Sequence, residues 1–93
     1  MRQNLPHRVV LGPHVVWHQL EDEIVLLNLT TEQYHGLNEV GSDALKLLIE
    51  TGDPEHVVNQ ILVEYEIDEE SVRRDLADLL SELVAAQLID VTE

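Results

Sequence analysis

The sequence predicts an α+β fold, a three-stranded antiparallel sheet followed by three helices. Three observations carry that prediction. Residues 14–37 hold short apolar runs rich in β-branched and aromatic side chains, separated by polar breaks. From residue 39 onward the apolar residues recur at helical spacing instead, in three blocks. A capping residue stands in front of each block: Asn38, Asp53 and Asp68. Ninety-three residues suffice for one domain with one modest core.

The elements follow in order. Residues 1–8 hold no regular pattern and are expected to form a flexible tail. Val9, Val10 and Leu11 add a short extended piece before the Gly12-Pro13 break. Residues 14–19, with Val15, Val16 and Trp17, read as the first sheet strand. Residues 24–29 are the second. Ile24, Val25, Leu26 and Leu27 put apolar groups on both faces, so this strand is expected to be central and covered on both sides. Residues 30–32 suit a hairpin connection. Residues 33–37 form the third strand: Gln33, Tyr34, His35, Gly36 and Leu37.

Asn38 ends that strand and caps a helix over residues 39–50. Val40, Ala44, Leu45, Leu47, Leu48 and Ile49 give it a broad apolar face, and Gly41 in its first turn signals close packing. Gly52 fits a left-handed cap. Asp53 and Pro54 start the second helix, with proline at its first position. This helix presents Val57, Val58, Ile61, Leu62 and Tyr65 on one face. Glu69 and Glu70 complement the positive end of the third helix. Val72, Leu76, Leu79, Leu80, Leu83 and Val84 continue it to about Ala86. Leu88 and Ile89 are expected to tuck back on the core.

Composition narrows the function. Five Lys and Arg face nineteen Asp and Glu, a formal charge of -14. Nucleic-acid affinity comes largely from neutralised phosphates, so this chain repels DNA and RNA over most of its surface. Anionic membranes are disfavoured for the same reason, and no apolar run approaches the roughly 18 residues of a span. The absence of Cys removes thiolate catalysis and Cys-based zinc sites and suits a reducing cytoplasm. His14 and His18 lie about 13 Å apart along a regular strand and cannot share a metal. No order of Ser, His and Asp suggests a nucleophile with its base. No catalytic set, cofactor or metal is expected. A binding module is favoured over an enzyme.

The runs Val25-Leu26-Leu27-Asn28-Leu29 and Gln33-Tyr34-His35-Gly36-Leu37-Asn38-Glu39-Val40-Gly41 carry a resemblance. With the spaced Val72, Asp75, Leu79, Leu80 and Leu83 and the closing Leu88-Ile89, the chain resembles the PqqD-like family, also called RiPP recognition elements. These are small winged helix-turn-helix proteins that bind leader peptides of ribosomally made natural products. There are two departures. His35 stands where the family commonly has a second aromatic, and Gln87 where it often has glycine.

The resemblance implies a function. The leader of a precursor peptide adds as an extra strand to the edge of the third strand and lies against the third helix. Stand-alone members serve separate maturation enzymes: a leader peptidase and macrolactam synthetase in lasso-peptide pathways, or a radical SAM enzyme in synthesis of the quinone cofactor PQQ. The lasso pathway is the nearer likeness.

Physical reasoning leads to the same edge. An unpaired strand edge accepts an extended peptide through its backbone, and pockets at alternate positions supply specificity. A peptide of about 8 residues spans about 26 Å at strand rise, the length of a helix of about 17 residues. The candidate peptide-binding residues are Gln33, Tyr34, His35, Gly36 and Leu37 on the strand. On the helix they are Val72, Arg73, Arg74, Asp75, Leu76, Leu79, Leu80 and Leu83. Each has a plainer alternative. Tyr34 is a core aromatic with its hydroxyl at the rim, Gly36 relieves crowding, and Leu37, Leu76 and Leu80 are core. Arg73 and Arg74 pair with Glu69, Glu70 or Asp78 on the helix surface. A winged-helix DNA-binding regulator is the alternative of another class.

Overall fold

The computed structural model describes residues 5–92. The chain runs β1 (Arg8–Leu11), β2 (Val15–Leu20), β3 (Glu23–Asn28), β4 (Gln33–Leu37), α1 (Glu39–Thr51), α2 (Pro54–Glu64), α3 (Glu69–Ala85) and β5 (Ile89–Thr92). The main sheet is antiparallel in the order β2-β3-β4, and β1 and β5 form a second, two-stranded antiparallel sheet. The α+β class and the three-strand, three-helix order stand as the sequence predicts.

Each helix begins where its cap residue dictates. The Asn38 side chain accepts the Gly41 N–H, Asp53 accepts those of Glu55 and His56, and Asp68 accepts that of Ser71. Gly52 closes α1 in the left-handed region with φ 68 and returns its N–H to the Leu48 carbonyl. A Cβ at Gly41 would stand 3.2 Å from the capping oxygen of Asn38, which explains glycine in that first turn. Tyr65, just past α2, donates to Asp43 of α1, and this bond pushes its hydroxyl up to about 12.

The core lies between the inner face of the main sheet and the helices. Ile24 and Leu26 enter it from β3, Leu45 and Leu48 from α1, Val57, Val58 and Ile61 from α2, and Leu76, Leu80 and Leu83 from α3. Burying one such side chain contributes about 1.5–3 kcal/mol.

Three expectations need correction. The tail reading fails for the described part of its range. Leu5 packs on the core, the His7 N–H donates to the Thr92 carbonyl, and Arg8 opens β1; residues 1–4 lie outside the described residues. β3 is central, but covered on one side only. Ile24, Leu26 and Asn28 are buried, whereas Val25 and Leu27 on the outer face have only cross-strand shelter from β2 and β4. Ile89 does not merely tuck back: it begins β5, which pairs Ile89 with Leu11 and Val91 with Val9.

Candidate functional site

Both β2 and β4 are edge strands, and the ladder fixes which of their backbone groups are free. The Leu29 N–H donates to the His14 carbonyl, so the pairing that follows binds β2 through Val16, His18 and Leu20. On the central strand, Leu27 and Val25 therefore face β2, and Ile24, Leu26 and Asn28 face β4. Their partners Leu37, His35 and Gln33 spend their backbone groups inside the sheet. Tyr34 and Gly36 are left with N–H and C=O directed at the open edge.

The end of that edge is fixed by a buried side chain that the sequence reading did not single out. Ser42 of α1 is fully buried. Its Oγ accepts the Ile24 N–H at 2.7 Å and donates to the Leu37 carbonyl at 3.3 Å, bridging the last rung of the β3–β4 ladder. Asn28 does the equivalent work at the other end. Its Oδ1 accepts from Thr30 and Thr31, and its Nδ2 donates to the Gln87 carbonyl. The β3–β4 hairpin is thereby tied to Gln87 in the turn after α3, and both ends of β4 are held.

β4 stands apart from α3, and between them lies a cleft of about 420 Å³, within the size range of small-ligand sites. Its strand side is His35, Gly36 and Leu37. Its floor is Val40, Ala44, Val57, Ile61 and Ile67. Its far wall is one stripe of α3: Val72, Asp75, Leu76, Leu79 and Glu82. These positions repeat at three and four residues and so share a helix face. Beyond His35 a second hollow continues between Glu32, Gln33 and Tyr34 on one side and Ala86 and Leu88 on the other.

The sequence-predicted residues divide accordingly. His35, Gly36, Leu37, Val72, Asp75, Leu76 and Leu79 meet in the cleft, and Gln33 and Tyr34 border its continuation. Leu80 and Leu83 do not line it; they are 3% and 0% exposed and belong to the core. Tyr34 is 76% exposed, so it is no core aromatic. Gly36 relieves no crowding, because a Cβ there would meet nothing within 4 Å. The edge at Gly36 is open to close backbone approach.

Arg73 and Arg74 differ sharply. Arg73 grips Glu55 of α2 through two nitrogens, at 2.6 and 2.8 Å, and Glu69 through Nε at 2.9 Å. Its side chain is only 11% exposed. The bonds to Glu55, then the one to Glu69, raise its pKa still further above an already high value. This arginine staples α2 to α3 and is committed within the fold. Arg74 is largely exposed, holds Ser71 Oγ at 3.4 Å and lies 4.0 Å from Asp75.

Sequence reading missed Glu82, Asn38, Val40 and Ala44 in the cleft, and the floor from α2. Glu82 had a usable signal, since it lies seven residues beyond Asp75 and three beyond Leu79, on the same stripe. The floor residues looked like ordinary core and needed the tertiary fold. Among the described residues, no group of three His, Asp or Glu is placed to hold a metal ion.

Comparison with known proteins bears on this geometry. A comparison with curated proteins finds no match. Among solved structures, TbiB1 in complex with the TbiA(beta) leader peptide superposes with a TM-score of 0.83 at 41% identity, covering 86% of this chain and 93% of that one. A lasso peptide synthetase B1 complexed with the leader peptide has a TM-score of 0.82 at 24% identity, covering 89% and 98%, and speaks to the fold alone. The family model described as coenzyme PQQ synthesis protein D, PqqD, matches residues 23–89, from the start of β3 through α3 to the first residue of β5. The chain therefore belongs to the PqqD family.

Proposed function

We propose that this chain captures the leader segment of a ribosomally synthesised precursor peptide as an additional strand on β4 and passes it to a separate maturation enzyme. The observation that carries this reading is the open edge of β4, with Tyr34 and Gly36 unpaired, beside an apolar cleft walled by α3. Backbone pairing supplies affinity, and the cleft reads alternate side chains. The likeness to TbiB1, which is seen with a leader peptide, supports the same assignment.

The pathway favoured is lasso-peptide synthesis, with a leader peptidase and macrolactam synthetase as the receiving enzymes. The match to the PQQ synthesis model favours a second reading, a peptide chaperone for a radical SAM enzyme. The chain contributes binding and no covalent step. We place it in the cytoplasm, where precursors are made; no helix of the described residues is long and apolar enough to cross a membrane. A DNA-binding role gains no support from α3, whose cleft-facing stripe carries Asp75 and Glu82 and no cation.

Titration calorimetry with synthetic leader peptides tests the proposal. Saturable binding at about micromolar Kd is expected, about -8 kcal/mol. Amide exchange should slow at Tyr34 and Gly36 on binding. Protection confined to Trp17 and Gln19 on the opposite edge would overturn the placement, and cleavage or cyclisation of a precursor by the purified chain alone would overturn the binding-only role.

A further inference from the structure

Sheet register and the helix stripe together fix where each side chain of an added strand goes; this inference rests on the strand-addition reading above. Residues directly opposite one another in a ladder share a face. Trp17, Leu26 and His35 form one such row, on the core face, because Leu26 is buried. On a strand added beside β4, the residue continuing that row enters the cleft next to His35.

What it meets there is polar. Glu82 reaches across from α3, and its Oε2 stands 3.7 Å from Nε2 of His35. That exceeds hydrogen-bonding distance. The two side chains are 64% and 32% exposed, so their contact is loose and readily opened. Two residues along β4, the row of Gln19, Ile24 and Leu37 leads instead into the apolar part of the cleft, among Val40, Ala44, Ile61, Val72 and Leu76. The cleft is therefore an apolar chamber with a polar crossing at one side. Among the described residues, no Lys or Arg lines it.

We infer that His35 and Glu82 determine specificity as a polar gate. At the cleft-facing position beside His35, the gate selects a leader side chain with an N–H or O–H donor. Two positions away, an apolar side chain fills the chamber. An incoming donor replaces His35 as the neighbour of Glu82 and forms a true hydrogen bond in place of a loose 3.7 Å contact, strongest when the donor is cationic. A carboxylate at that position meets Glu82, with Asp75 on the same wall, and is rejected. This makes His35 more than a stand-in for a larger aromatic: its small, polar imidazole leaves room and polarity where a phenyl or phenol ring would close the crossing with apolar surface.

Selection from a displayed library of short random peptides tests the gate without knowledge of the natural leader. The unaltered chain should enrich peptides with Lys, Arg or a hydroxyl residue at one position and an apolar residue two positions away. Glu82 is exposed, so Glu82→Gln and Glu82→Lys both fold. Glu82→Gln should keep the apolar preference and lose the cationic one, binding the best wild-type peptide about tenfold more weakly. Glu82→Lys should enrich Asp or Glu at the same position. Unchanged selection and affinity in both variants, with peptides still bound, would overturn the gate alone. Failure of the unaltered chain to enrich any peptide would overturn the peptide-binding reading beneath it.

Discussion

The main sheet has two open edges, and only one of them faces a wall. β2 is exposed at nearly every position, including Val16, Trp17 and Leu20, and β3 is the element it packs against. β4 runs beside α3 across a cleft, is braced at one end by Ser42 and is tied at the other through Asn28 to the turn after α3. Backbone donors and acceptors are free at both edges, at Trp17 and Gln19 on β2 and at Tyr34 and Gly36 on β4, whereas the Val15 N–H is taken by the Gly12 carbonyl. Unpaired backbone is thus a generic property of an edge. What distinguishes β4 is the helix stripe beside it, which turns alternate positions of an added strand into contacts that differ in size and polarity.

That contrast can be sharpened first on the wall itself. Leu80 and Leu79 are neighbours on α3, but one faces the core and the other the cleft. Leu80→Ala is expected to destabilise the fold by about 2–5 kcal/mol in denaturant titration. Leu79→Ala should cost about 1 kcal/mol or less, since the side chain is half-buried, while weakening leader binding. Equal losses of stability would mean that α3 has no separate cleft face.

Proline breaks the comparison at the two edges. Gly36→Pro and Trp17→Pro each remove an N–H that points away from the sheet, so the ladder survives both. Gly36→Pro should weaken leader binding tenfold or more, about 1.4 kcal/mol for a lost backbone bond and its steric consequence. Trp17→Pro should leave the affinity alone. The reverse result would move the site to β2. His35→Pro is a poorer test, because its N–H lies inside the β3–β4 ladder and its loss harms the sheet.

The two arginines give the next effect. Arg73→Ala should destabilise by about 1–2 kcal/mol, less than three fully buried charged hydrogen bonds because Glu55 and Glu69 remain partly exposed. Arg74→Ala should change stability by less than about 0.5 kcal/mol. Measured together at low and high salt, the Arg73 effect should shrink with salt. Equal, small effects would dissolve the staple between α2 and α3.

The smallest change concerns the anchor beyond α3. Gln87 holds φ 60 where a side chain is unfavourable, and Leu88 returns its N–H to the Leu83 carbonyl across that turn. Gln87→Gly should raise stability by about 1 kcal/mol. The bond from Asn28 goes to the Gln87 backbone carbonyl and survives the change. A loss of stability would show that the Gln87 side chain does more than occupy the turn.

The sequence by itself determined the elements that local chemistry controls. Asn38, Asp53 and Asp68 each cap the helix placed behind them, Gly52 turns left-handed where α1 stops, and residues 33–37 form β4 without a shift of boundary. These depend on spacing along the chain and on the few hydrogen bonds within a turn. The likeness carried by Tyr34 to Gly41 was legible for the same reason, since that stretch is one continuous junction between strand and helix. The tertiary structure decided what depends on distant partners. β5 needed β1, some eighty residues away, to become a strand. Leu79 and Leu80 look alike in a periodic stripe, and only the placement of β4 against α1 and away from α3 makes one a wall of the cleft and the other core. Helical spacing already puts Glu69 in reach of Arg73, but only the packing of α2 brings Glu55 to it. Ser42 and Asn28, to which the sequence assigned no structural part, hold both ends of the candidate site because folding brings unpaired backbone groups within their reach, and burial leaves those groups no water to bond instead.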